Sequence, residues 1–244
     1  MEKMTIPALQ QMKRDGKKIV GVVAWDYQVA QIAERAGMDF VSVGDSVGMN
    51  LWGQPTGTEV TMEEMLVVCK AVRRGVKRTL VSCDVPFGPV QEGTEAATRA
   101  AFRLFKEGGA DMVKINGVPD TVRAIVRAGV PVFAEFHGGK EIPVDKLVGE
   151  AKRLEEAGAA LLDFRHSGPE AGAKVVKSVS IPVIGGLGGG PWLDGRVRLA
   201  HTAIGYGAKW VDSKVETYVN TAKLSLEAFT ALIADVRSGR QIKG

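Results

Sequence analysis

The sequence predicts a single (β/α)8 TIM barrel with an N-terminal helix and an extra C-terminal helix, spanning residues 1–244 as one catalytic domain. Three observations carry that expectation. Short Val/Ile/Leu-rich runs alternate with longer segments of helical period, as in βα units around a parallel sheet. The runs are continuous rather than alternating, as strands covered on both faces should be. The length of 244 residues suits one such barrel.

The expected strands are Val20–Ala24, Phe40–Val43, Leu80–Cys83, Met112–Ile115, Val132–Phe136, Leu161–Phe164, Val183–Ile184 and Lys209–Val211. Helical patterns lie between them, among them Met62–Arg74, Thr94–Lys106, Pro119–Ala128 and Lys146–Ala157. Helix ends recur as Arg35-Ala36-Gly37, Glu107-Gly108-Gly109, Arg127-Ala128-Gly129 and Glu156-Ala157-Gly158, each just before a strand. Glycine there ends a helix in the left-handed conformation, so these positions are structural. The stretch from Glu216 to Arg237 reads as one more amphipathic helix, suited to closing the barrel or packing on a neighbouring subunit.

Composition is that of a globular protein, 45% hydrophobic and 25% charged. The net charge of +4 is dispersed, and the short basic runs Lys13–Lys18 and Arg73–Arg78 read as solvated turn ends rather than a nucleic-acid surface. Two cysteines, Cys69 and Cys83, give no disulfide framework and suit a reducing compartment. No run approaches the roughly 20 apolar residues of a spanning helix, and Met1-Glu2-Lys3-Met4 leads into a polar stretch without a signal core. A cytoplasmic location is expected, with no nucleic-acid or membrane partner.

In such barrels chemistry sits at the C-terminal ends of the strands. Asp45 and Asp84 each end an apolar run, where an ionised carboxylate is costly without a partner. They either hold a magnesium ion, which needs only one or two carboxylates, or accept hydrogen bonds from their own loops. Lys114 closes the fourth strand and either neutralises a substrate carboxylate or pairs with Asp84. Glu135, Arg165 and His166 follow the fifth and sixth strands, and His137 lies beside them. Trp25 and Trp52 fall in mouth loops as pocket candidates, whereas Trp210 reads as core and His201 as packing. The glycine run Gly185–Gly190 is either an anion cradle or a tight loop, and it lacks the dinucleotide pattern.

At these residues the sequence resembles the ketopantoate hydroxymethyltransferase family of the phosphoenolpyruvate mutase/isocitrate lyase superfamily. The carrying stretches are Ala24-Trp25-Asp26-Tyr27, Gly44-Asp45-Ser46-Val47-Gly48-Met49, Val60-Thr61-Met62-Glu63-Glu64, Cys83-Asp84-Val85-Pro86-Phe87-Gly88 and Gly109-Ala110-Asp111-Met112-Val113-Lys114-Ile115. The resemblance implies a homo-oligomeric enzyme of pantothenate biosynthesis. It would bind Mg2+ on Asp45 and Asp84 and a 2-oxo acid such as 3-methyl-2-oxobutanoate on Ser46 and Lys114. A metal-stabilised enolate would attack methylenetetrahydrofolate as co-substrate.

The chain departs from the family pattern in places. Asn116 replaces a glutamate, Glu135-Phe136-His137 replaces a Gly-His-x-Gly stretch, and the loop before Val144 is short. Arg165 replaces the family's strand-six glutamate, its proposed general base, and a guanidinium does not give up its proton. Proton abstraction then falls to Glu135, His166 or a metal-bound water. Arg165 either receives a second anionic group of the substrate or pairs with Asp163 or Glu135. The first option opens an alternative reading as a C–C lyase, decarboxylase or hydrolase acting on a 2-oxo diacid.

Overall fold

A computed structural model describes residues 2–240, which divide into two compact units on either side of the step from Arg198 to Leu199. The first holds a closed parallel barrel in sequential order, β1 (Ile19–Val23), β2 (Phe40–Val43), β3 (Leu80–Asp84), β4 (Met112–Asn116), β5 (Val132–His137), β6 (Leu161–Arg165), β7 (Val183–Gly185) and β8 (Gly195–Leu199). Seven of the eight expected strands are found within one or two residues of their expected bounds. The interleaved helices include Met62–Gly75, Thr94–Lys106, Pro119–Arg127 and Val144–Glu156. Gly37 (φ 82°) and Gly129 (φ 82°) adopt the left-handed conformation that their helix ends require.

The eighth strand is a correction. Ala208–Trp210 forms one 3-10 turn in the second unit, and Trp210 is half-exposed rather than core. The strand is instead Gly-Arg-Val-Arg-Leu, whose Arg196 is exposed while Val197 is buried. A search for unbroken apolar runs passes over such a strand, because its alternate positions are polar.

The barrel interior follows the period of two along each strand. One buried residue from every strand, Ile19, Phe40, Leu80, Met112, Phe133, Leu161, Ile184 and Val197, joins Leu9 of the helix Ile6–Arg14 in a single cluster. The N-terminal helix thus closes the floor of the barrel with its apolar face. Thr5 caps it, the side chain accepting a hydrogen bond from the Ala8 amide. Moving two residues along the same inward faces leads from this floor to Ser42, Ser82, Lys114, Glu135 and Asp163. Two more reach Asp84, Asn116, His137 and Arg165 at the mouth. The intervening residues Val41, Val43, Val81, Cys83, Val113, Ala134, Phe136, Leu162 and Phe164 are buried outward.

Two glycines make the barrel's closure possible. At Gly21 a Cβ would enter the Phe40 ring, which fills the space on the β1 side. At Gly195 it would run into the Ile19 carbonyl oxygen and Cβ where β8 meets β1. Because that obstacle is backbone, Gly195→Ala should cost about 1–3 kcal/mol. Chemical denaturation reads this, and an unchanged midpoint would contradict the close approach of β8 to β1.

In the second unit, the helix Thr221–Ser238 begins at Asn220, whose side chain accepts from the Lys223 amide, and ends at Gly239 (φ 76°). Its Leu224, Phe229, Leu232, Ile233 and Val236 are exposed. Among the described residues no helix is long and apolar enough to cross a membrane.

Candidate active site

The inward positions at the C-terminal ends of β3 to β6 meet in one pocket, lined by Asp45, Asp84, Val85, Phe87, Val90, Lys114, Ile115, Asn116, Glu135 and Arg165. Lys114 is its hub. Its Nζ lies 2.5 Å from Glu135 Oε2, 3.5 Å from Asp84 Oδ2 and 3.6 Å from Asp163 Oδ2. Burial alone would depress the Lys114 ammonium, but Asp84, Glu135 and Asp163 outweigh it and raise its pKa. Lys114 is therefore a fixed cation, the form that pairs with anions and not the neutral amine a Schiff base needs.

Arg165 lies beside both carboxylates that its position suggested. Its Nη1 lies 3.1 Å from Glu135 Oε1 and its Nε 3.5 Å from Asp163 Oδ2. Two carboxylates that Lys114 also contacts thus flank the guanidinium, whose buried Nε makes no hydrogen bond among the described residues. Glu135 is consequently held below the usual carboxylate range: burial pushes it up, but Lys114 and Arg165 together pull it down further. Its Oε1 also meets His137 Nε2 at 3.0 Å.

Asp163 is 1% exposed and explains the glycine run. The Gly186 amide donates to Asp163 Oδ1 at 2.9 Å, so the anion that the loop after β7 receives is the protein's own carboxylate. The loop also folds tightly on itself, with a Cβ on Gly185 only 2.7 Å from the Gly189 Cα.

Asp45 and Asp84 face the same pocket from the loop after β2 and the end of β3. Burial raises the carboxyl of Asp45 against the opposing pull of Lys114. Burial likewise pushes Asp84 up to about 7, again against Lys114. Asp45 accepts a hydrogen bond from the Ser46 amide. Asp84 Oδ1, by contrast, is buried and accepts no hydrogen bond among the described residues. Four carboxylates, Asp45, Asp84, Glu135 and Asp163, thus share two cations, Lys114 and Arg165. An oxygen without a partner beside surplus negative charge fits a divalent cation, with Asp45 and Asp84 as its carboxylates. No group of three or more His, Cys, Asp or Glu side chains is gathered as a ligand set among the described residues.

The remaining expected residues lie around the pocket rather than on its wall. Ser46 is half-buried, and its Oγ and Asp84 Oδ2 both approach Gly44, at 2.9 and 3.6 Å from where a Cβ would stand. A side chain at position 44 would therefore crowd both the Ser46 hydroxyl and the Asp84 carboxylate. Trp25 is buried, donating from Nε1 to the Gly44 carbonyl at 2.8 Å, and so fixes the loop that carries Asp45. His166 is exposed at the rim, and its φ of 50° makes it the one non-glycine residue with positive φ among those described. Trp52 is exposed, and His201 lies buried in the second unit. Val85, Phe87, Val90 and Ile115 form an apolar side of the pocket that strand-end reasoning did not anticipate. The signal was the Phe87–Gln91 turn following Asp84, short of polar groups.

A family model described as ketopantoate hydroxymethyltransferase matches residues 3–241. The chain belongs to the ketopantoate hydroxymethyltransferase family. A 3-methyl-2-oxobutanoate hydroxymethyltransferase from Rippkaea orientalis is 36% identical, over 97% of this chain and 98% of the relative. One from Geobacillus kaustophilus is also 36% identical, over 93% of this chain and 87% of the relative. Among solved structures, 2,3-dimethylmalate lyase, a PEP mutase/isocitrate lyase superfamily member, superposes with a TM-score of 0.65 at 15% identity over 98% of this chain and 89% of that one. That likeness establishes the shared barrel. In this chain Lys114 and Arg165 share the two carboxylates of Glu135 and Asp163.

Proposed function

We propose that the protein transfers a hydroxymethyl group to a 2-oxo acid with a branched apolar tail, 3-methyl-2-oxobutanoate being the type substrate, with methylenetetrahydrofolate as the one-carbon donor. The observation that carries this reading is the pocket's mixed lining, which combines the charged Asp45, Asp84 and Lys114 with the apolar Val85, Phe87, Val90 and Ile115. A carboxylate and keto group suit the charged residues, and an aliphatic tail suits the apolar ones.

Asp45 and Asp84 would hold Mg2+, a reading supported by a solved phosphonopyruvate hydrolase of the same fold in complex with oxalate and Mg++ (TM-score 0.66, 17% identity). Bound magnesium would polarise the oxygens of the 2-oxo acid and so ease loss of the proton on the adjacent carbon. Lys114 contributes a fixed positive charge toward the substrate's oxygens, and Ser46 a hydroxyl beside Asp84. Glu135 and Asp163 hold Arg165 in place, and His166 borders the mouth. Since Glu135 and Asp163 flank Arg165 as well as Lys114, the pocket offers no surplus cation to a distal carboxylate. This favours a monoacid over the diacid of the alternative reading. The same reading carries a cytoplasmic enzyme of pantothenate biosynthesis. It also carries assembly with like subunits through the exposed apolar residues of Thr221–Ser238.

The test incubates the protein and Mg2+ with 3-methyl-2-oxobutanoate in deuterated water and follows the proton on the carbon beside the carbonyl by NMR. Adding methylenetetrahydrofolate should then give the hydroxymethylated acid. Inert 3-methyl-2-oxobutanoate alongside turnover of oxaloacetate would replace this reading with the diacid one.

A further inference from the structure

We propose that His137 is the proton acceptor of this site, with Glu135 as the carboxylate that orients it. The proposal rests on the reaction class argued above and supplies what Arg165 takes away. The position of the strand-six carboxylate is filled by a guanidinium that keeps its proton. Asp45 and Asp84 are committed to the cation. Lys114 is a fixed ammonium among three carboxylates.

Glu135 is a poor acceptor, because both of its oxygens are engaged. Oε2 meets Lys114 at 2.5 Å, and Oε1 meets Arg165 at 3.1 Å and His137 at 3.0 Å. A carboxylate so surrounded is stabilised in its ionised form and binds a proton weakly.

His137 has the opposite character. It stands two residues beyond Glu135 on β5, hence on the same inward face and one step nearer the mouth. Its side chain is 52% exposed while that of Glu135, which lines the pocket, is 8% exposed, so His137 meets the pocket through Glu135 and solvent on its open edge. Glu135 carries no proton to donate, so the 3.0 Å contact is a hydrogen bond from Nε2–H to Oε1. That fixes the tautomer and leaves the lone pair on Nδ1. A base whose far nitrogen is tied to a buried carboxylate is the arrangement that sustains imidazole catalysis in general.

Proton abstraction balances without any further reagent. Nδ1 takes the proton from the carbon adjacent to the carbonyl, and the C–H electron pair becomes the carbon–carbon double bond of the enolate. The resulting imidazolium is held by Glu135. In the transfer that follows, the enolate carbon bonds to the one-carbon unit as both carbon–nitrogen bonds of methylenetetrahydrofolate break. Water supplies the hydroxyl oxygen and the two protons with which tetrahydrofolate leaves, and the imidazolium's proton returns through solvent to the new hydroxymethyl oxygen. His166, whose ring centroid lies 6.3 Å from that of His137, has its Nδ1 packed at the Gly188 turn, where a Cβ would come within 2.8 Å. It forms part of the rim rather than the relay.

The experiment measures deuterium exchange into 3-methyl-2-oxobutanoate with Mg2+ for the parent, His137→Ala, His137→Gln and His166→Ala, each with and without added imidazole. Mn2+ affinity and melting temperature are recorded in parallel. His137→Ala should lose about 10²-fold or more of the exchange rate. Imidazole should restore part of it, while folding and Mn2+ affinity stay unchanged. His137→Gln, which keeps a hydrogen bond to Glu135 but offers no basic nitrogen, should remain slow and unrescued in full-length protein. His166→Ala should stay within a few-fold of the parent. Exchange by His137→Ala within threefold of the parent overturns the role of His137 alone, as does loss of exchange in His166→Ala but not His137→Ala. A parent that exchanges no deuterium overturns the reaction class, and this role with it.

Discussion

Lys114→Met should lower stability by about 3–5 kcal/mol at neutral pH, because it removes the cation shared by three buried carboxylates. Folded proteins keep only about 5–15 kcal/mol in hand. For a chain of this size each kcal/mol moves the melting temperature by about 2–4 °C, so the drop should be about 6–20 °C. The pH dependence has a definite sign. Lys114 is raised above its ordinary pKa, so its contribution is complete at every pH below that ordinary value and fades only as pH climbs through the raised one. In the variant the stranded carboxylates can be neutralised by protons instead. The gap between parent and variant should therefore be widest near pH 8 and shrink toward pH 5. Scanning calorimetry at the two pH values measures it, and equal melting temperatures at pH 8 would disprove the hub.

Asp84→Asn should separate stability from function. In the parent without metal, Asp84 has a pKa of about 7, above the ordinary 3.8. A raised carboxyl favours folding when protonated, so ionisation costs stability progressively as pH rises from the ordinary value through 7. The asparagine variant escapes that cost, although Lys114 loses one of its three partners. With chelator at pH 8, its melting temperature should equal or exceed that of the parent. Mg2+ should raise the melting temperature of the parent and leave the variant unmoved. Changing a residue that merely supports a ligand typically costs 10–100-fold in metal affinity, so losing a ligand itself should cost more than about 10²-fold, with hydroxymethyl transfer falling accordingly. A variant that still binds Mn2+ as tightly as the parent would remove Asp84 from the metal site.

Seven strands and the pocket's charged residues were readable because the barrel encodes them with one rule. The inward positions of β3 to β6 run apolar and then charged, as in Leu80, Ser82, Asp84 and in Phe133, Glu135, His137. A charged residue at the close of an otherwise apolar run marks the mouth. Partnership was not readable. Nothing in the order Asp163-Phe164-Arg165 says that Arg165 pairs with Glu135 on the next strand, or that Asp163 receives the Gly186 amide, since register and loop folding decide both. β8 escaped because Arg196 and Arg198 interrupt its apolar positions, and the apolar wall from Val85 to Val90 escaped because attention to polar groups passes over it.

The Phe40 ring occupying the space beside Gly21 has an evolutionary consequence. These two positions divide one volume between neighbouring strands, so neither can drift alone. A larger residue at 21 becomes tolerable only after the aromatic at 40 has shrunk, and a smaller residue at 40 opens a void until 21 grows to meet it. Related barrels should therefore show the pair exchanging bulk together, and Gly21→Val should be rescued by Phe40→Val while each change alone is harmful.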